Sequence, residues 1–230
     1  MTAPKLATSP VRDILAMLDS LTPGKRRILT GVTWEEYDEL VNSYQDQASF
    51  RVSFIEGTLE VMPTGMPHDK YKEFILRLAS ALAEELEIDL ETIGSTTLKR
   101  DKRRVGAEPD TSFYVQHATQ MFGARKLDLE QDPPPDIVVE VDITHPSYSK
   151  RPIYARLGVP EIWRFDGKKF EINELVKGEY RARGTSVAFP FLQASDLLAF
   201  INQSLTDGQT KTLRDFRVWV SAHKPAPATN

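Results

Sequence analysis

Ile137-Val138-Val139-Glu140-Val141-Asp142 is the most apolar strand-like run in the chain. Four of its six residues are β-branched aliphatics, which suits a strand in the middle of a sheet with both faces covered. Glu140 is the anomaly. An ionised carboxylate in such a strand costs several kcal/mol unless it is paired, hydrogen-bonded or bound to a metal. Asp142, two residues on, projects to the same face because side chains alternate along a strand. Asp110 follows Pro109 at the mouth of a second predicted strand, Ala107–Val115. Three carboxylates converging from adjacent strands, with no histidine or cysteine beside them, suit a hard divalent cation such as Mg2+, which keeps several waters for a substrate phosphate. The structural alternative is that Glu140 pairs with an arginine or caps a neighbouring backbone.

Outward from this strand, Pro152–Leu157 reads as a helix with proline in its first turn and Gly158 as its stop. Ile162–Phe165, the turn Asp166-Gly167 and Phe170–Ile172 form a strand pair. Upstream, Val52 and Phe54 alternate with Arg51 and Ser53, and Leu59 and Val61 with Thr58 and Glu60, around a compact Glu56-Gly57 turn. Tyr71, Phe74, Ile75, Leu78, Leu82 and Leu86 mark one face of a helix of about five turns. Thr92–Leu98 is read as a strand, and residues 116–135 as a long loop without periodicity. Thr33 and Glu36 have the spacing of a capping box, and Val11–Leu21 recurs at helical spacing. Ser195–Gln203 and Thr212–Ser221 are predicted closing helices. The expected class is α/β with a mixed sheet. The expected organisation is an N-terminal helical appendage over 1–30, a main domain over 31–206, a C-terminal helix over 207–222 and a disordered tail over 223–230.

Composition removes several classes of function. Acidic residues (33) outnumber basic ones (29) for a net charge of −4, so nucleic acid could be met only by a local patch. Cysteine is absent, which excludes disulfides, thiolate zinc sites and a thiol nucleophile. The four histidines, His68, His117, His145 and His223, show no metal-binding spacing. No apolar run approaches ~18 residues, and MTAPKLATSPVRDIL lacks the apolar core of a secretory signal. A cytoplasmic protein without membrane contact is the expectation. Tyr148, Trp163 and Tyr180 are read as core residues rather than base-stacking platforms, and Trp34 as a staple of the second helix.

The order Glu-Pro-Asp110, Pro-Pro-Asp-Ile-Val-Val-Glu140-Val-Asp142, then Lys150-x-x-x-Tyr154-Ala-x-x-Gly158-Val-Pro-Glu161-Ile-Trp163-Arg164 resembles the Uma2 family, grouped with the PD-(D/E)XK restriction-endonuclease-like fold. The hairpin Phe54–Pro63 and the following His68 resemble that family's N-terminal signature. The resemblance spans roughly residues 30 to 200. It implies a restriction-endonuclease-like core of helix, three strands, helix and strand, with a leading β-hairpin and extra terminal helices. Carried over, Asp110 is a metal ligand, Glu140 the second acid, and the Val141 carbonyl completes the shell around Mg2+ or Mn2+. The superfamily pattern expects lysine where this chain has Asp142. Lys150, just ahead of the next helix, is the replacement, with Asp142 kept among the catalytic candidates and His68 and Glu56 as accessory ones.

Such a site hydrolyses phosphodiesters: the cation acidifies water and steadies phosphate charge, and a lysine orients the water or offsets charge at phosphorus. Lys99, Arg100, Lys102, Arg103 and Arg104 crowd one turn and are candidates for DNA backbone contact. Residues 107–142 hold eight acids against two bases, a surround that repels DNA unless a cation bridges it. The expectation is a Mg2+-dependent DNA endonuclease acting as a homodimer. Its alternative is a nuclease-fold module that has lost catalysis and binds nucleic acid or a partner protein. A glycosidase pair formed by Asp110 and Glu140 is disfavoured, since no sugar-stacking aromatic lies nearby in sequence.

Overall fold

The computed structural model describes residues 25–44, 50–63, 65–143 and 147–225. The helical reading of 11–21 and the proline-rich end of the tail lie outside these residues. Among the described residues the strands form two sheets. The larger has the order β11-β10-β9-β8-β7-β4, built from β4 (Glu91–Thr92), β7 (Thr111–Tyr114), β8 (Ile137–Val141), β9 (Glu161–Phe165), β10 (Phe170–Val176) and β11 (Glu179–Arg183). Every neighbouring pair in it is antiparallel except β8 and β9. These two are joined by α3 (Arg151–Leu157), which ends at Gly158 with φ 85°. The smaller sheet is antiparallel with the order β1-β3-β2-β6-β5, from β1 (Arg27–Thr30), β2 (Phe50–Ile55), β3 (Thr58–Pro63), β5 (Leu98–Arg100) and β6 (Val105–Ala107).

All five residues of β8 are buried, as its composition demands. Ile137, Val139 and Val141 pack against Phe74, Ile75, Leu78 and Leu82 of α2 (Met66–Leu86), together with Trp163, Phe165 and Phe170. Val138, of opposite parity, joins Ile153, Tyr154 and Leu157 of α3 in a separate cluster. Glu140 shares that parity and therefore stands on the α3 side of the sheet. Two closing helices, α4 (Ala194–Asp207) and α5 (Gln209–His223), add Leu197, Ile201, Phe216 and Val220 to the α2 side. Arg217 of α5 ties to Glu84 (2.5 Å) and Glu85 (3.1 Å) of α2. Trp163 is fully buried in this core.

The smaller sheet is covered by α1 (Trp34–Tyr44), whose Tyr37 and Leu40 pack on Val52, Phe54, Leu59 and Val61. The predicted capping box is formed: Glu36 N–H donates to Thr33 Oγ1 (3.1 Å) and Thr33 N–H to Glu36 (2.7 Å). Trp34 packs tilted against Tyr37 and edge-to-face with Phe54. Glu56 and Gly57 both adopt positive φ (49° and 74°), the two-residue turn that matches strand twist. Gly106 is required by close approach: a Cβ there would sit 2.2 Å from the Tyr37 hydroxyl.

The structure corrects three readings. Thr92–Leu98 is not one strand: β4 and β5 lie in different sheets. Ala107–Val115 likewise splits into β6 and β7, because Glu108-Pro109-Asp110 carries the chain from one sheet to the other and Pro109 has no N–H to offer a ladder. Arg27–Thr30, assigned to the helical appendage, pair with β3 as strand β1. Strand β11 was not legible at all, being half polar and largely exposed. No helix among the described residues is long and apolar enough to cross a membrane.

Candidate active site

Three elements meet at the end of β8. The β7–β8 ladder closes at Thr111 opposite Val139. One residue earlier, Asp110 donates its N–H to the Val139 carbonyl (3.2 Å), and its Oδ2 accepts the Val141 N–H (2.7 Å). The carboxylate thus replaces a missing rung beside β8, a role that follows from Pro109 breaking the strand just before it. His68, in the first turn of α2, places Nε2 at 2.8 Å from the same oxygen. From the opposite side Lys150, at the start of α3, donates through Nζ to Glu140 Oε1 (3.1 Å) and Oε2 (3.0 Å), and to the Glu108 carbonyl (3.1 Å). Tyr154, one helical turn beyond Lys150, donates its hydroxyl to Glu140 Oε1.

Asp110, Glu140 and Lys150 are 3%, 2% and 5% exposed, so their charges act through a poorly screening medium. Burial foremost, then the fields of Asp110 and Asp142, push the Glu140 carboxyl up to about 8 against the pull of Lys150 and Tyr154. Burial works to lower Lys150, but the facing Glu140 and Asp110 outweigh it and raise it above its ordinary value. Burial would raise Asp110 as well; the His68 hydrogen bond and charge, with Lys150 and the Val141 N–H, bring it below the ordinary carboxylate range. His68 is raised, the Asp110 hydrogen bond and charge overcoming the opposite effect of burial.

Of the residues singled out from the sequence, Asp110, Glu140, Lys150 and His68 come together. The expected convergence of three carboxylates does not occur. Among the described residues no group of three or more His, Cys, Asp or Glu side chains is arranged to hold a metal ion. Asp142 Oδ2 is taken by Arg164 Nε and by the Ser147 N–H (2.8 Å) and hydroxyl (3.0 Å). It is an arginine-locked brace between β8 and β9 rather than an open ligand. Glu56 lies at the β2–β3 turn, paired with Arg156, beside Arg103 and Arg104 in a separate cleft. Within the basic turn Lys99 pairs with Asp38, Lys102 with Glu130 (3.4 Å), and Arg103 donates to the Arg156 carbonyl. These contacts tie much of its charge down.

Three residues of the site have no role that the sequence reading assigns. Tyr154 stands in the Lys150-x-x-x-Tyr154 motif, and its i+4 spacing from Lys150 puts both on one helix face. Glu108 contributes a backbone carbonyl, which no pattern reveals. Glu60 was read as the polar, outward side of a hairpin. It is 7% exposed, accepts from Ser149 next to Lys150 (3.1 Å), and leaves Oε1 without a hydrogen-bond partner.

Asp110 and Glu140 offer hard oxygen donors of the kind Mg2+ and Mn2+ take. The Val141 N–H and His68 already meet Asp110 Oδ2, and Lys150 and Tyr154 meet Glu140, so a divalent ion would share these two carboxylates with those groups or displace them.

Helix α2, antiparallel strands β4, β7 and β8, crossover helix α3 and parallel strand β9, with the acids at the strand ends, define a restriction-endonuclease-like fold. The Uma2 family model, described as "Putative restriction endonuclease", matches residues 34–206. The chain belongs to the Uma2 family. It is similar to a crystal structure of a "putative nuclease belonging to DUF820" from Anabaena variabilis ATCC 29413, at 14% identity and a TM-score of 0.49, over 73% of this chain and 98% of that one. No curated protein matches the sequence.

Proposed function

We propose that the protein is a divalent-metal-dependent endonuclease that hydrolyses phosphodiester bonds in DNA and works as a homodimer, each protomer cutting one strand. The observation that carries this reading is the meeting of Asp110, Glu140 and Lys150 from three separate elements at one buried focus. Asp110 and Glu140 hold the cation, Mg2+ or Mn2+. When bound it lowers the pKa of water and neutralises charge on the scissile phosphate. Lys150 balances the two acids in the resting protein. Released from one Glu140 oxygen, its ammonium can donate to a phosphate oxygen or orient the attacking water. Tyr154 and the Glu108 carbonyl fix Glu140 and Lys150, and His68 fixes Asp110, so the groups are pre-organised before substrate arrives.

The test is incubation of supercoiled plasmid, linear duplex and single strands with Mg2+ or Mn2+, with Glu140→Ala as control. Metal-dependent cleavage by wild type and none by the variant is the expected result. Cleavage retained in the variant would place the chemistry elsewhere.

One observation favours a second reading. Lys150 donates to both oxygens of Glu140, so its ammonium already supplies positive charge to that carboxylate, which suits a nuclease-fold module that binds nucleic acid or a partner protein without cutting. Calorimetry with Mn2+ on wild type and Asp110→Ala separates the two: equal, negligible heats support the binding module.

A further inference from the structure

On the far side of the Glu108-Pro109-Asp110 crossing lies a cleft of about 690 Å3 that contains neither Asp110 nor Glu140. Its charged lining is Arg51, Lys99, Arg125 and Lys126 against the single acid Glu108. In a chain of net charge −4 this local excess of cations is unusual. Lys99 is partly neutralised by Asp38, and the Glu108 carboxylate is occupied by the Val52 N–H (3.2 Å) and the Thr97 hydroxyl (2.9 Å). Arg51 is different. It is 8% exposed, it donates through Nη1 to the Phe50 carbonyl (3.1 Å), and its buried Nε has no hydrogen-bond partner. A buried guanidinium N–H without an acceptor is costly, and the Arg51 side chain that carries it lines an open cleft rimmed by the exposed Arg125 and Lys126 and by Ser95 and Thr96.

We propose that this cleft seats a backbone phosphate of the DNA substrate, with Arg51 as its floor and Arg125 and Lys126 closing over it. The inference rests on the nuclease reading and adds the path of the strand. Glu108 links the two places: its carboxylate faces the cleft, its carbonyl holds Lys150 (3.1 Å), and Asp110 follows two residues later. Two extended residues span roughly 7 Å, so the seated phosphate lies within a nucleotide or two of the reacting one. The guanidinium fork suits a phosphate's paired oxygens, and the Ser95 hydroxyl can donate to the same group, the Thr96 hydroxyl being given to the Ile93 carbonyl (2.6 Å).

The test is anisotropy of labelled duplex and single-stranded DNA in EDTA, across a salt series, with wild type, R125A/K126A and Arg51→Met. The surface pair is the fold-safe variant if the buried Arg51 change fails to fold. The expected result is a loss of about tenfold in affinity per contact removed. The slope of log affinity against log salt should fall by about 1.8 for duplex, or 1.4 for a single strand, in R125A/K126A. Binding with an unchanged slope in R125A/K126A overturns the cleft and leaves the nuclease reading standing. Slope loss in a protein that cuts no DNA with any divalent metal supports the cleft and removes the nuclease reading. Heat from inorganic phosphate alone, with no DNA binding by wild type, overturns the DNA assignment.

Discussion

Glu140→Gln should flatten the pH dependence of stability between pH 5 and 9 in metal-free protein. Burial, followed by the fields of Asp110 and Asp142, raises the Glu140 carboxyl from 4.5 to about 8. Because the folded value is the higher one, the contribution is complete below pH 4.5 and is lost as pH rises through about 8. A gap of about 3.5 units at about 1.36 kcal/mol each makes this roughly 5 kcal/mol. At 2% exposure solvent screening removes little of it. Lys150 adds nothing in this window, since its raised value moves its own loss beyond 10.5. His68 and Asp142 are also raised and give slopes of the same sign; both proteins keep these groups, and the difference between the two reads Glu140 together with the small part of the His68 shift that the Glu140 charge causes. For a chain of this size about 2–4 °C accompanies each kcal/mol. Of the roughly 5 kcal/mol, about 4 kcal/mol falls above pH 5 and should lower the wild-type melting temperature by roughly 8–16 °C relative to Glu140→Gln from pH 5 to pH 9. Thermal unfolding followed by circular dichroism in EDTA at each pH reads this directly. Parallel curves for the two proteins would refute the burial argument.

Cation binding should draw on the same proton: Mn2+ affinity measured by calorimetry should rise about tenfold per pH unit from 6 to 8, and a flat profile would mean Glu140 is no ligand. Tyr154→Phe removes a donor to Glu140 and should cost about 1–3 kcal/mol in urea unfolding, with a further rise in the Glu140 pKa. Arg164→Met strips Asp142 of its buried partner and should destabilise by about 3–5 kcal/mol; a loss under 1 kcal/mol would show that Ser147 alone suffices. Gly106→Ala forces a methyl onto the Tyr37 ring and should lower the melting temperature, with partial rescue by Tyr37→Phe, whose hydroxyl has no partner to lose.

Local rules sufficed wherever one short segment carried the whole instruction. β8 was legible because a β-branched run can be stable only between two covered layers, and α3 because Pro152 and Gly158 bracket it. The Glu56-Gly57 turn and the Thr33–Glu36 cap are likewise set by residues that touch each other. The meeting of Asp110 with Glu140 is an expectation from carboxylates on adjacent predicted strands and from the family resemblance, since 29 residues separate them and spacing alone says nothing about it. Asp142 shows the limit most clearly. Its parity with Glu140 was right, yet its role depended on Arg164, a partner on the neighbouring parallel strand, where Arg164 lies in register with Glu140.

What the chain determined unaided was where apolar residues must be buried and where the backbone must turn, because hydrophobic periodicity and proline and glycine geometry act over a few residues. Tertiary structure alone decided that Pro109 hands the chain from one sheet to the other, that Lys150 reaches Glu140 rather than solvent, and that Arg51 floors a cleft. Those outcomes follow from charges paired across distant segments, and a buried charge takes whichever partner the finished packing brings within reach.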